Sequence, residues 1–288
     1  MPADVGPIDL GATVSVDYVS EFQLSVTRAL RDQLLERLDA LTPAALTNDA
    51  VGVISRRGGV YQLFEGDALV YVGKSTRDLR GRLFQHRQKL LGREGGILDR
   101  VGFRCVYVTE DLDALAPEKM LIDTLRRAGK AAWNTNGFGN KDPGKERDTS
   151  LVEFGHFDRT YPINLDLEVK LKLASSTQAL ELARQLKTAL PYNFRFANKG
   201  VAAAALQERA VHISDPSQAR TVREWLDTLA EALPEGWSVI QLPGYLISYP
   251  GVSVDAYASR MGAWVASASG ADYLPHEPLY SANEPALS

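Results

Sequence analysis

Residues 59–86 read GVYQLFEGDALVYVGKSTRDLRGRLFQH, and no other stretch limits the fold as much. Two runs rich in β-branched and aromatic residues, 58–64 and 68–73, flank Glu65-Gly66-Asp67. A turn triplet between two such runs predicts a tight β-hairpin. Ser75-Thr76 then offers an N-cap for a helix over about 77–91. The hairpin puts a tyrosine on each strand, Tyr61 and Tyr71, and the helix carries Arg82 and His86.

The rest of the chain supplies further elements. Apolar residues at three- and four-residue steps predict a helix over 17–42. Phe103–Val108 reads as a third strand, with Cys105 inside it as a buried, inert thiol. Pro117 opens a helix that Gly129 stops. Residues 133–150, WNTNGFGNKDPGKERDTS, read as a long polar loop, a length that often signals function. Beyond 160 the pattern changes. LDLEVKLKL at 165–173 alternates apolar and charged residues, as a strand with one wet face does. Ser175-Ser176-Thr177 caps a helix to about Ala189, and Asp215-Pro216 opens another to Leu233. WSVIQL and GYLISY form a hairpin about Pro243-Gly244, and the last fifteen residues read as a tail. The expected fold is α+β. A small antiparallel sheet flanked by helices occupies 1–160, and an appended α/β unit occupies 161–288, serving recognition or dimerisation. A single merged fold is the alternative.

Composition sets limits. Apolar residues make up 45% and charged residues 24%, as in ordinary globular proteins. No apolar run approaches the roughly 18–20 residues of a membrane span. The N-terminus lacks the basic start and apolar block of a secretory signal. The one cysteine excludes an intrachain disulfide and a zinc ribbon, so the cytoplasm is the expected compartment. The net charge of −4 argues against a nucleic-acid partner, yet it is unevenly spread. Residues 56–147 hold 18 Lys and Arg against 12 Asp and Glu, a net of +6, while the remainder holds 14 against 24, a net of −10. A locally basic segment is what a polyanion site needs.

The residue types in that segment suit attack on a phosphodiester. Such cleavage needs an in-line nucleophile, a proton acceptor and a sink for charge on the phosphoryl oxygens. Arg82 and His86, four apart, share a helix face. Arginine grips phosphate through a forked donor set, and histidine moves protons near neutrality. Taken alone, this pair is most often a solvated helix face, and each tyrosine is most often core. A phenol is a poor base unless a cation such as Arg82, or a metal, lowers its pKa. Glu118, in the first turn of its helix, either complements the helix dipole or holds one divalent cation. His156, His212 and His276 lack suitable neighbours in sequence, and no metal site is expected there.

The order of these parts resembles the GIY-YIG nucleases over about 59–134. The carrying residues are Gly59-Val60-Tyr61, Tyr71-Val72-Gly73, Arg82, Glu118 and, in WNTN, Asn134. Within that superfamily, His86 and the loop GFGNKDPGKERDTS resemble the type II restriction endonucleases that cut CCGCGG. The resemblance implies a catalytic set of Tyr61, Tyr71, Arg82, His86, Glu118 and Asn134. Glu118 would bind one Mg²⁺ (Mn²⁺ substituting), Tyr61 would help deprotonate the attacking water with His86 as relay, and Tyr71 and Arg82 would orient and neutralise the phosphate. Lys74, Arg77, Arg80, Asn140, Lys141, Lys145 and Arg147 are the expected DNA contacts. The partners implied are double-stranded DNA and a second copy of the chain, one site for each strand of a palindrome. Two alternatives stand beside this: a nuclease that senses a modified base or branched DNA, and a non-catalytic binding module of the same fold.

Overall fold

The computed structural model describes residues 26–108, 130–139 and 144–281. Helix α1 (Val26–Asp39) leads to β1 (Ala44–Ala45) and α2 (Asn48–Gly52). The hairpin is present as β2 (Gly59–Glu65) and β3 (Ala68–Ser75), followed by α3 (Leu79–Leu91) and β4 (Val101–Tyr107). The sheet order is β1-β4-β2-β3, antiparallel throughout. Alternation assigns its two faces. Val60 and Val72 pack with Leu34 and Leu38 of α1, while Tyr61, Leu63 and Tyr71 face Leu79, Leu83 and Leu90 of α3. With a helix on each face, nearly every residue of β2 is buried. The cap of α3 is Asp78, which accepts from Gly81 N at 2.8 Å, rather than Ser75-Thr76. Ser75 Oγ instead accepts from Asp78 N.

Strand β3 is a sheet edge, and its exposed backbone is covered by Asn134. The Asn134 side chain accepts from Val72 N at 2.9 Å and donates to Val72 O at 2.7 Å, acting as one residue of a further strand. The expected polar loop is therefore anchored at its start. It also carries Phe138, which is 1% exposed and sits inside the first core. β5 (Val152–Glu153) and α4 (Phe157–Thr160) complete this half.

The second half contains β6 (Glu168–Val169), β7 (Ser176–Gln178), α5 (Ala179–Ala189), β8 (Asn193–Phe196), α6 (Gly200–Gln207), β9 (Ala210–His212), β10 (Arg220–Thr221) and α7 (Val222–Ala232). It continues through β11 (Trp237–Gln241), β12 (Tyr245–Pro250), β13 (Gly262–Ser267), β14 (Gly270–Pro275) and β15 (Tyr280–Ser281). Its main sheet runs β14-β13-β11-β12-β8, antiparallel except where β12 meets β8. Helices α5 and α7 cover one face with Leu182, Leu186, Trp225, Leu226 and Leu229, each removing about 1.5–3 kcal/mol worth of apolar surface from water.

Three expectations shift here. The 165–173 segment buries alternate residues as expected, but only Glu168–Val169 pairs as a strand. The carbonyls of Leu165 and Leu167 instead accept from Arg223 and Val222, so the segment's partner is a helix start. Helix α7 begins later than expected, at the capping box of Thr221 and Glu224, because Asp215 closes its own turn with Ser217. Part of the expected tail is structured, since β15 pairs in parallel with β5.

The halves meet closely at the end of α3. A side chain on Gly92 would lie 2.6 Å from Pro191 Cγ and 2.7 Å from Tyr192 Cδ1, so only glycine lets the chains approach. Asn164 N donates to Gly92 O, and Arg93 pairs in a bridge with Ile163. No helix among the described residues is long and apolar enough to cross a membrane.

Candidate active site

The sheet face under α3 gathers four of the expected catalytic residues. Tyr61 projects from β2 and Tyr71 from β3, with ring centroids 6.0 Å apart. Helix α3 aligns Leu79, Leu83, His86 and Leu90 as its buried stripe, which places an imidazole where a hydrophobic residue would ordinarily stand. The Tyr61 hydroxyl lies 2.6 Å from His86 Nε2, and Arg82 Nε donates to the same hydroxyl at 3.3 Å. Guanidinium has no acceptor atom, so the phenol oxygen accepts from Arg82, and with His86 in its Nδ1–H tautomer the phenol donates to His86 Nε2. Arg82 also meets the Tyr71 hydroxyl and Gln85 Oε1.

Gly73 makes this packing possible. A Cβ there would sit 2.4 Å from the Tyr61 hydroxyl and 2.8 Å from the Tyr71 ring. The glycine of the second tyrosine motif is thus a floor for the first tyrosine. Phe138 closes the other side, stacked on His86 with centroids 5.0 Å apart and planes 17° apart, and edge-on to Tyr71.

Burial dominates the electrostatics. It holds the Tyr61 phenol well above its ordinary pKa, and Tyr71 adds to the rise. Arg82 opposes this shift without overcoming it, which corrects the expectation that a neighbouring cation acidifies the phenol. His86 is held well below its usual value by burial, then by Arg82 and Lys89, so it is neutral at pH 7. Lys89 is lowered to about 8, chiefly by burial, with Asp158 opposing and Arg93 and Arg82 assisting. Tyr61 and His86 are closed off from solvent, whereas Arg82 is half-buried and forms the accessible edge of the group.

The other expected residues divide. Asn134 holds the backbone beside Tyr71 through Val72, a positioning role. Lys74 stands near the end of β3, half-buried, and Arg77 in the turn before α3, exposed. Arg80 is committed inside the fold, its Nε donating to Ile54 O at 2.5 Å. Lys145 turns towards the second half and Arg147 towards His156 in the first. Lys145 Nζ lies 4.2 Å over the Tyr249 ring and Arg147 Nη2 contacts His156 Nε2 at 3.0 Å, because an aromatic face and an imidazole there satisfy them. His156 is thus engaged by Arg147 and accepts from Asp158 N at Nδ1. Cys105 is half-buried and its thiol is pushed up by burial. Glu118, Asn140 and Lys141 lie outside the described residues.

Magnesium takes hard oxygen ligands, usually carboxylates. Among the described residues no group of three or more His, Cys, Asp or Glu side chains converges, and both ends of the Asn134 amide are engaged. The described part of the group does not by itself fit Mg²⁺.

Three participants escaped the sequence reading. Phe138 was hidden in a polar loop. Lys89 and Arg93 continue the spacing of Arg82 and His86, at seven and eleven residues from Arg82, which was the available signal. No protein-family model matches this chain, and no curated protein matches it in sequence.

Proposed function

We propose that this chain is a GIY-YIG-type type II restriction endonuclease, hydrolysing phosphodiester bonds of double-stranded DNA at a specific, palindromic site. The observation that carries the reading is the hydrogen-bonded line Arg82–Tyr61–His86, with Tyr71 alongside and Gly73 beneath. A buried phenol aimed at a neutral imidazole is a proton path, and a half-exposed guanidinium at its mouth is a phosphate contact.

Arg82 would meet a phosphoryl oxygen with its terminal nitrogens while Nε stays on Tyr61, offsetting charge as it develops. Tyr61, neutral at pH 7 and closed off from solvent in the free chain, would be reached by the attacking water once DNA is bound; it would then take a proton from that water as it passes its own to His86, so that no phenolate need form beforehand. Tyr71 would orient the phosphate, and Asn134 would hold β3 in place. Glu118 would hold one Mg²⁺ or Mn²⁺, which supplies a further sink for phosphoryl charge when bound. Lys74 and Arg77 would follow the DNA backbone. Two copies of the chain would serve the two strands, in the cytoplasm.

Phage DNA of known sequence incubated with the protein and Mg²⁺ is expected to give double-strand cuts at one sequence. EDTA and Glu118→Ala are each expected to abolish them. Intact DNA across several divalent metals and diverse sequences contradicts the reading.

A further inference from the structure

Arg82, His86 and Lys89 succeed one another along α3, and Arg93 follows just past its end. This line runs from the two phenols to a cavity of about 450 Å³ between the halves, within the size range of small-ligand sites. Lys89, Arg93, Arg147 and Lys187 line it, against Asp148 and Asp158. Both carboxylates are already engaged. Asp148 pairs with Arg195 and accepts from the Tyr245 hydroxyl, and Asp158 lies 2.9 Å from Arg93 Nη1. Lys89, Arg147 and Lys187 contact no carboxylate among the described residues, so the cavity carries excess positive charge. Arg93 is buried and spends Nη1 on Asp158 and Tyr161 O, so Lys89, Arg147 and Lys187 are the cations left for an oxyanion. Pro191, Tyr192, Leu242 and Pro243 supply apolar wall beside these charges.

We propose that this cavity binds a single nucleotide, its phosphate drawn by Lys89, Arg147 and Lys187 and its planar base covered by the apolar walls. The choice of a nucleotide among oxyanions rests on the nuclease reading. The nucleotide is either free in solution or swung out of a duplex held by the first half. The cavity and the phenol group share a wall: Lys89 Nζ donates to Phe138 O at 2.5 Å, and Phe138 stacks on His86. An occupant that draws Lys89 away acts on the stack that positions His86.

The test is calorimetric titration of the full chain, without metal, with the four deoxynucleoside 5′-monophosphates and with inorganic phosphate. At least one nucleotide is expected to bind more tightly than inorganic phosphate. Lys187→Glu, at the exposed rim, and Lys89→Gln, at the floor, are expected to weaken binding by about tenfold, the size of one charge-assisted contact. Duplexes with 2-aminopurine at successive positions identify the source. A fluorescence rise that Lys187→Glu removes assigns the nucleotide to the duplex, and nucleotide binding without that rise assigns it to solution. The proposal is overturned if no nucleotide binds and no rise occurs, or if Lys187→Glu leaves binding unchanged. Nucleotide binding without DNA cleavage contradicts only the nuclease reading, and cleavage with neither nucleotide binding nor a fluorescence rise contradicts only this one.

Discussion

The two halves use burial for opposite ends. The second half hides Leu182, Leu186, Trp225, Leu226, Leu229 and Val239, and the polar atoms of its core aromatics are spent on structural contacts, Trp264 Nε1 donating to Asp227, Trp225 Nε1 to Val169 O and the Tyr192 hydroxyl to Asn164 O. The first half hides Tyr61, Tyr71 and His86 in the same kind of sheet-and-helix layer. Phenylalanine in place of either tyrosine, or leucine in place of His86, would fill the same layer and remove a desolvation cost. The contrast teaches that helix α3 gives up apolar contact to keep titratable groups in register with the sheet.

The sharpest way to break this contrast is to damage each half in turn. Leu229→Ala, at the centre of the second core, is expected to lower stability by about 2–5 kcal/mol in denaturant titrations. DNA cleavage below the new midpoint should persist. Gly73→Ala is expected to cost about 1–3 kcal/mol by overpacking and to abolish cleavage outright, because the Tyr61 hydroxyl must move. Comparable loss of activity from both substitutions at matched stability would erase the distinction.

A smaller effect concerns pH. His86 takes a proton near 6.5 when unfolded and only at lower pH when folded. The unfolded chain then binds more protons, so its stabilising contribution is complete above about 6.5 and falls away as pH drops below it. Thermal melting from pH 8 to 5 should show this decline, and His86→Gln should flatten it. Burial lowers His156 in the same direction, so His156→Gln provides the companion curve. An unchanged slope in His86→Gln would show that His86 titrates freely.

The hairpin and α3 were readable because their signals are local, alternation, a turn triplet and helical spacing, but the caps were not: Asp78, Gln178 and Thr221 stand where Ser75-Thr76, Ser175-Ser176-Thr177 and Asp215-Pro216 were expected. The polar positions of the site were readable through the tyrosine motifs and the helical spacing of Arg82 and His86. What sequence concealed depends on long-range contact. Nothing near Phe138 announces that it stacks on a histidine 52 positions earlier in the chain. Alternation over 165–173 told which residues face inward, but not that a helix start would take the carbonyls. The sign of the Tyr61 shift also escaped, because burial depends on the whole layer while Arg82 was visible at once.

The most direct test is Tyr61→Phe, which removes one oxygen and preserves the ring that fills the layer. Digestion of a sequenced phage DNA with Mg²⁺ would be measured beside thermal melting of the same variant. The account predicts loss of cutting by about 10²–10³-fold, typical of one lost catalytic group, with the fold retained. Cutting at the wild-type rate by the well-folded variant would contradict it.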